Sequence, residues 1–279
     1  MTNGFASFDE IISAISAGQV NVQTFAKIGT APEAAGTFYS YWKDGTNPAA
    51  GANPAAGSAT PGAGGTAYDL TDGSITKWAD VEGGSQKRFL IGFQGQATDD
   101  CTLIIYDRLV GVGGISVAST GNKDIGSAAL PRYTDGVGVE CWLEFSTAST
   151  ATVGAASLAS YTDQDGNTGQ VGGSKSFPAA ATNIGSLVLP MPLATGDYGI
   201  RAVQTLNVGT ATTTGVVNLL LVKPLAYIPL ALDQGTPYDF VYELPSMPRI
   251  YDGATLGIAI MATSTTAVTV QGMLIAAYN

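Results

Sequence analysis

The chain has 279 residues, of which 22 are acidic, 12 are basic and none is histidine, so its formal net charge is −10. Without an imidazole, the sequence excludes Ser-His-Asp triads, Cys-His catalytic pairs and the usual zinc sites. An acidic chain with few cations has little to offer to phosphates, so we expect no nucleic-acid partner. Hydrophobic residues make up 45% of the chain, which excludes global disorder and favours a structural protein.

The first predicted element is a helix over residues 5–17. Its apolar side chains have the i, i+3, i+4, i+7 spacing that places them on one side of the helix: Phe8, Ile11, Ile12 and Ile15. Ser7 and Glu10 have the spacing of a capping box, and Gly18 is a suitable stop. Two interpretations stay open: the helix packs on its own domain, or it is an N-terminal arm that docks on a neighbouring subunit.

Residues 46–66 form a tract of Gly, Ala, Pro and Asn that contains the near-repeat NPAAGANPAAG. With no large apolar side chain, this tract is predicted to be a linker or an extended surface strap. A cluster of aromatic residues precedes it: Phe38, Tyr39, Tyr41 and Trp42. Tyr39, Tyr41 and Trp42 are therefore candidates for anchoring the strap to a partner, although packing on the parent domain is the preferred interpretation.

From about residue 85 the hydrophobic pattern changes to a period of two, which is typical of strands. The clearest example is 137–145, where five apolar residues face one way and Glu140, Trp142 and Glu144 face the other. Other predicted strands are 101–109, 151–161, 184–189, 198–207, 215–222, 238–244, 255–262 and 267–278. Short strands with Gly-rich turns and no intervening helices predict an all-β fold, an antiparallel β-sandwich or jelly roll.

These patterns divide the chain into three predicted parts. Residues 1–45 are expected to form the N-terminal helix and arm, residues 46–84 a flexible Gly/Ala/Pro-rich strap, and residues 85–279 the β-sandwich domain, with room for two sub-domains. No secretory signal or membrane span is expected. The first basic residue is Lys27, and the longest apolar stretch, 215–232, is interrupted by asparagine, lysine and proline.

The two cysteines, Cys101 and Cys141, lie in or beside predicted strands. They allow a disulfide, but two small buried hydrophobic side chains are the preferred interpretation for a protein made in the cytosol.

Paired carboxylates are the acid–base chemistry that remains in a chain without histidine. Glu140 and Glu144 share one face of a strand about 13 Å apart, beyond the roughly 5 to 9.5 Å of glycosidase pairs, so we expect both to be solvated. Asp99 is expected to cap a strand start, and Asp107 to form a local ion pair with Arg108 at a turn. The sequence therefore predicts no catalytic residue, no cofactor and no enzymatic activity.

Asp163, Asp165 and Asn167 have the alternate spacing of calcium loops, and Gly166 allows a sharp bend. The segment lacks the later glutamate that completes an EF-hand. A hairpin turn is therefore the preferred interpretation, and these three residues are a weak candidate for a calcium site. No other metal site is predicted.

Four segments of the chain together resemble tailed-bacteriophage virion structural proteins associated with the head: KRFLIGF (87–93), LIIYDRL (103–109), LPRYTDGVGV (130–139) and SYTDQDG (160–166). The similarity covers about residues 75 to 175 well and the C-terminal strands loosely. Proteins of this type are mostly described only as structural. The resemblance therefore implies a place in a virion, and it carries over no functional residue.

The resulting expectation is a capsid decoration (cement) protein or a minor capsid protein, made in the host cytoplasm and located in the virion. Its partners would be copies of itself in a symmetric homo-oligomer such as a trimer, and the major capsid protein, bound through many weak contacts. Residues 1–45 would bind the shell, so their deletion would leave the β domain folded. The alternatives are a jelly-roll capsid subunit, and a receptor- or carbohydrate-binding module that uses Trp142 as an exposed aromatic.

Overall fold

The chain folds into antiparallel sheets with a jelly-roll-like, all-β architecture, as the sequence predicts. The computed structural model describes residues 4–29, 34–54, 66–67, 78–81, 86–126, 128–149, 153–177, 186–243 and 247–279. Within these ranges it contains one α-helix, α1 (Phe8–Ser16), and strands in three sheets. No helix in the described ranges has the length and apolar character needed to cross a membrane.

Six strands close into a barrel: β2 (Phe38–Ser40), β5 (Cys101–Ser116), β7 (Glu140–Thr147), β10 (Leu187–Pro190), β12 (Val216–Leu230) and β15 (Leu256–Ala262). Their order is β12-β7-β10-β2-β15-β5, and β5 pairs again with β12. β3 (Thr66–Ala67) pairs with β5 beyond the end of β15. Closure gives these strands a second, inner face that is shielded from water.

Two further sheets share a hydrophobic core with the outer face of the barrel. The five-stranded sheet contains β1 (Val20–Ile28), β4 (Arg88–Ala97), β13 (Thr236–Asp239), β14 (Arg249–Ile250) and β16 (Thr269–Tyr278). Its strand order is β1-β16-β4-β13, and the short strand β14 also pairs with β4. The four-stranded sheet contains β6 (Gly121–Asp124), β8 (Ala155–Asp163), β9 (Ser174–Ser176) and β11 (Ile200–Thr210). Its strand order is β6-β11-β8-β9. A smaller apolar cluster fills the barrel interior.

The N-terminal region is an integral part of the β fold, contrary to the predicted boundary at residue 45. β1 pairs with β16 along its whole length, and β2 lies between β10 and β15 in the barrel. Phe25 of β1 and Tyr39 of β2 are buried in the main core. Residues 1–45 are therefore not a separable arm, although α1 itself lies outside the sheets.

α1 begins and ends where the sequence signals place it. Ser7 Oγ accepts a hydrogen bond from Glu10 N at 3.3 Å, and the Glu10 carboxylate accepts one from Ala6 N at 2.7 Å. Gly18 has a φ of +76°, the left-handed conformation that commonly ends a helix. The helix is shorter than the predicted 5–17, because Ser7 is its N-cap and Ala17 its C-cap, and residues 5 and 6 precede the N-cap.

Both faces of β7 are buried, although the alternation of residues 137–145 is as predicted. Cys141 and Leu143 face the main core, whereas Trp142 and Glu144 face the barrel interior and are each 1% exposed. Trp142 Nε1 donates to Oε2 of the half-buried Glu140 at 2.7 Å. The prediction that Glu144 is solvated is therefore wrong, because barrel closure covers the face that an open sandwich leaves to water. Trp142 is buried among neighbouring strands, so it is not the exposed aromatic of the carbohydrate-binding alternative.

Cys101 and Cys141 are buried thiols with no disulfide between them. This confirms their interpretation as small buried hydrophobic side chains. Burial raises the pKa of the Cys141 thiol, so little of its reactive thiolate forms near neutral pH.

Candidate interaction surface and buried polar site

Asp107 and Arg108 are adjacent in β5, and they do not form the predicted pair with each other. Successive strand residues point to opposite faces, so Asp107 faces the main core and Arg108 faces the barrel interior. Both side chains are fully buried. Each needs a partner from another part of the chain, since an unpaired buried charge is costly. The predicted turn at this position is also wrong, because β5 continues to Ser116.

Inside the barrel, Arg108 forms a bidentate ion pair with Glu144. Arg108 Nη1 and Nη2 donate to Glu144 Oε1 and Oε2 at 3.1 and 3.0 Å, and Asn218 Nδ2 donates to Glu144 Oε2 at 3.2 Å. The Arg108 guanidinium lies 4.3 Å from the centroid of the Trp42 ring, a favourable contact for a desolvated cation. Burial alone would raise the pKa of Glu144, but the charge of Arg108 and these hydrogen bonds hold that pKa below its ordinary value.

Residues 46–54 are the first part of the predicted strap. Asn47 and Pro48 bond to β1, and residues 51–54 lie against side chains and backbone of the barrel. Trp42 Nε1 donates to Ala52 O at 2.8 Å. At Gly113 of β5 an added Cβ would lie 2.1 Å from Pro54 O, so glycine is required for this close approach. This part of the tract is therefore a surface strap on its own chain. Of the remainder, the structure describes β3 and residues 78–81, where Trp78 is buried in the main core. The other strap residues lie outside the described ranges.

The aromatic residues before the strap are packed inside their own domain. Tyr39, Tyr41 and Trp42 are 0%, 3% and 1% exposed. Tyr41 OH donates to Val268 O at 2.6 Å, and Tyr39 OH accepts from Ala34 N at 2.8 Å. Their assignment as partner-binding candidates is corrected accordingly: these side chains fill the core and hold the strap, and they do not reach the surface.

On the other face of β5, Asp107 binds Arg132. Arg132 Nε and Nη2 donate to Asp107 Oδ2 and Oδ1, both at 2.8 Å, and Thr255 N donates to Oδ1 at 3.0 Å. Burial raises the pKa of Asp107, and Arg132 and the Thr255 N–H offset part of that rise. The YDRL and LPRYT segments, which carry part of the resemblance, are thus joined by a buried ion pair. Their charged residues have a structural role.

Residues 163–167 form a turn that is closed by one carboxylate. Asp163 Oδ1 accepts from the backbone N–H groups of Asp165 and Asn167 at 2.8 Å each, and Oδ2 accepts from Asn167 Nδ2 at 2.8 Å. These contacts are the ones expected of a hairpin turn, the preferred interpretation of this segment. Both carboxylate oxygens of Asp163 are therefore engaged by groups of the turn itself. In the described ranges no three His, Cys, Asp or Glu side chains are grouped so that they could hold a metal ion.

The apolar side of α1 is divided between core and solvent. Ile11 is 4% exposed, whereas Phe8, Ile12 and Ile15 are 48%, 46% and 47% exposed. Tyr242 is 71% exposed, and its ring centroid lies 5.6 Å from that of Phe8. We call Phe8, Ile12, Ile15 and Tyr242 the α1 patch. Contiguous exposed apolar side chains of this kind are typical of an interaction site.

The α1 segment covers one end of the outer face of the five-stranded sheet. Phe89 of β4 pairs with Ala277 of β16, and the ring centroids of Phe5 and Phe89 lie 5.9 Å apart. Phe89 and Ala277 are both buried. Val20 of β1 pairs with Ala277 on this face, and Val22, two residues further along β1, is 51% exposed. The α1 patch and the exposed residues of β1 therefore lie on the same side of the molecule.

Comparison with known proteins leaves the family of the chain open. No family model and no curated protein matches it. Among solved structures, the infectious bursal disease virus Gx strain matches with 7% identity over 93% of this chain and 80% of that chain, at a TM-score of 0.20. The VP2 subviral particle of infectious bursal disease virus matches with 8% identity over 92% and 80% of the two chains, at a TM-score of 0.18. Similarity at these TM-scores carries no argument about fold or function.

Proposed function

We propose that the chain is a virion structural protein that decorates or cements a capsid shell and catalyses no reaction. The observation that carries this proposal is the α1 patch, in which three large apolar side chains of α1 and the adjacent Tyr242 are exposed. Burying the exposed half of one such side chain contributes about 1 kcal/mol. Many copies on a shell would add these small contributions through multivalency.

The buried charges of the fold support a static role. The two ion pairs of β5 join distant segments of the chain. Lys27 is fully buried and its Nζ donates to Asp44 O at 2.7 Å and to Pro48 O at 2.6 Å, which fastens the strap to β1. Buried charged groups whose hydrogen bonds are all made to fixed partners hold a fold in one arrangement. A rigid fold of this kind suits a component of a virus particle that must persist.

Two other functions were open at the sequence level. A carbohydrate-binding module would use Trp142 as an exposed aromatic that stacks on a sugar. Trp142 faces the barrel interior, so this surface residue is missing. A jelly-roll capsid subunit differs from a decoration protein in copy number, since a shell subunit must be present in the number that closes the shell. Quantitative mass spectrometry of purified particles separates these two structural roles.

The test of the proposal is binding to virus particles that lack this protein. The double variant Ile12→Asp, Ile15→Asp places two carboxylates in the α1 patch, and desolvating them against an apolar partner is costly. We expect its particle binding to be at least about tenfold weaker than that of the wild type, a difference of about 1.4 kcal/mol. Co-sedimentation over a range of concentrations measures this.

Ser13→Asp is the control, because Ser13 is exposed and lies about 100° or more around α1 from each of the three helical members of the patch. It adds one carboxylate to the same helix, where the double variant adds two, and it should bind as the wild type does. Full particle binding by the double variant would refute the proposal.

A further inference from the structure

We infer that two copies of this chain pair through the free edge of β1, in an antiparallel ladder with a two-fold axis at Val22. β1 is the outermost strand of the five-stranded sheet, and β16 is its sheet neighbour. The contact joins the chain to itself, and it does not depend on attachment to a shell.

The backbone of β1 shows which residues face the free edge. Gln19 O accepts from Tyr278 N at 3.1 Å, so the odd-numbered residues direct their N–H and C=O groups to β16. The even-numbered residues direct theirs outward. At Ala26 these outward groups bond to the strap, with Ala26 N donating to Asn47 O at 2.8 Å and Asn47 N donating to Ala26 O at 3.0 Å.

From Val20 to Thr24, no strand of the described ranges pairs with the outward edge of β1. The outward backbone groups there belong to Val20, Val22 and Thr24, and no hydrogen bond to them is made within the described ranges. The side chains of Val22 and Thr24 are exposed as well. An open edge with exposed apolar and β-branched side chains is a template for pairing with another strand.

Three other outer strands carry residues that discourage such pairing. β6 contains Lys123, β9 contains Lys175, and β13 contains Pro237 and Asp239. Charges and proline on edge strands are the usual protection against edge-to-edge contact. The β1 segment from residue 20 to residue 26 has neither a charge nor a proline, so its edge is left open to a partner.

A second copy is the partner that fits this edge. An antiparallel pair centred on Val22 places Val22 opposite Val22 and Val20 opposite Thr24, and all of these residues have outward N–H and C=O groups. An uncharged segment can meet itself without repulsion in a chain of net charge −10. The strap at Ala26 and the turn at Gly18 limit the ladder to this segment, which gives a closed dimer with an isologous interface.

Cysteine cross-linking tests the register. Residues in a hydrogen-bonded antiparallel pair have Cα atoms about 5.5 Å apart, which suits a disulfide. We therefore expect Val22→Cys to form a covalent dimer under mild oxidation, seen in non-reducing electrophoresis. Thr24→Cys is the matched control, because the two Thr24 residues of this dimer lie about 14 Å apart. The native cysteines are buried and should not contribute.

Sedimentation of the unmodified chain gives an independent measurement. The wild type should sediment as a dimer and Val22→Lys as a monomer, because the two-fold axis would place two lysine charges opposite each other. A monomeric wild type, or equal cross-linking of Thr24→Cys and Val22→Cys, would overturn the inference. A dimer that fails to bind particles would refute the proposed function alone, whereas a monomer that binds particles would refute this inference alone.

Discussion

Replacing Glu144 with glutamine is expected to lower the free energy of unfolding by about 3–5 kcal/mol. The variant leaves the fully buried guanidinium of Arg108 without its counter-charge inside the barrel. Removing one member of a buried ion pair costs more than the pair itself contributes, because the remaining charge stays desolvated. Urea unfolding of the wild type and the variant measures this difference.

Two further variants make this experiment specific. Glu140→Gln changes the same functional group on the same strand at a half-buried position and should cost less than about 1 kcal/mol. The double variant Arg108→Met, Glu144→Leu removes both charges and should be more stable than Glu144→Gln. Equal stability of Glu144→Gln and the wild type would contradict the account of the barrel interior.

The same carboxylate gives stability a defined dependence on pH. Because the folded pKa of Glu144 lies below its ordinary value, its contribution is complete above the ordinary glutamate pKa of about 4.3. That contribution is lost as pH falls through the folded pKa. The stability difference between the wild type and Glu144→Gln should therefore shrink on acidification below about pH 4.

Deleting residues 1–45 is expected to abolish folding. The deletion removes β1 and β2, so the barrel loses the strand between β10 and β15. It also removes Phe25, Tyr39, Tyr41 and Trp42, which are buried. Loss of one large buried aromatic side chain typically costs about 3–5 kcal/mol, and the stability of a whole domain is about 5–15 kcal/mol. Far-UV circular dichroism and thermal unfolding should show no cooperative β structure.

Deletion of residues 1–17 is the control for this prediction. It removes α1 and leaves β1 intact, so the shortened chain should keep a cooperative unfolding transition. It should also lose particle binding, since three members of the α1 patch are removed. A folded β domain after deletion of residues 1–45 would contradict the topology described above, in which β1 and β2 are sheet strands.

The strand pattern was readable from the sequence wherever alternation ended at a clear turn. The predicted strands 255–262 and 267–278 correspond closely to β15 (Leu256–Ala262) and β16 (Thr269–Tyr278). β5 was predicted to end at residue 109 because the following glycines resemble a loop. At Gly113, however, glycine allows the strap to approach a strand. Such a contact between distant segments leaves no local signal in the sequence.

Barrel closure explains most of the errors at the buried polar site. The alternation of apolar and polar residues assigns the side chains of β7 to two faces, but it does not show what covers each face. A charge within an apolar run such as LIIYDRLV, in a chain with 12% charged residues, is a signal for a buried ion pair. The fold topology decides which residues are the partners, because they are distant in the sequence. Glu144 lies 36 residues from Arg108, and Arg132 lies 25 residues from Asp107.

The α1 patch was only partly visible in the sequence. Helical spacing identified Phe8, Ile11, Ile12 and Ile15 as one group, and the structure buries Ile11 while leaving the other three exposed. The docking angle of the helix on the sheet decides this division. Tyr242 belongs to the patch through its contact with Phe8, and no local pattern connects residues so far apart in the chain.

Cryo-electron microscopy of purified virions tests the central claim most directly. We expect density for this chain on the capsid shell, with the α1 patch against the shell subunits and the barrel facing away from them. Particles that lack the chain, or a bound chain whose α1 patch faces solvent, would contradict it.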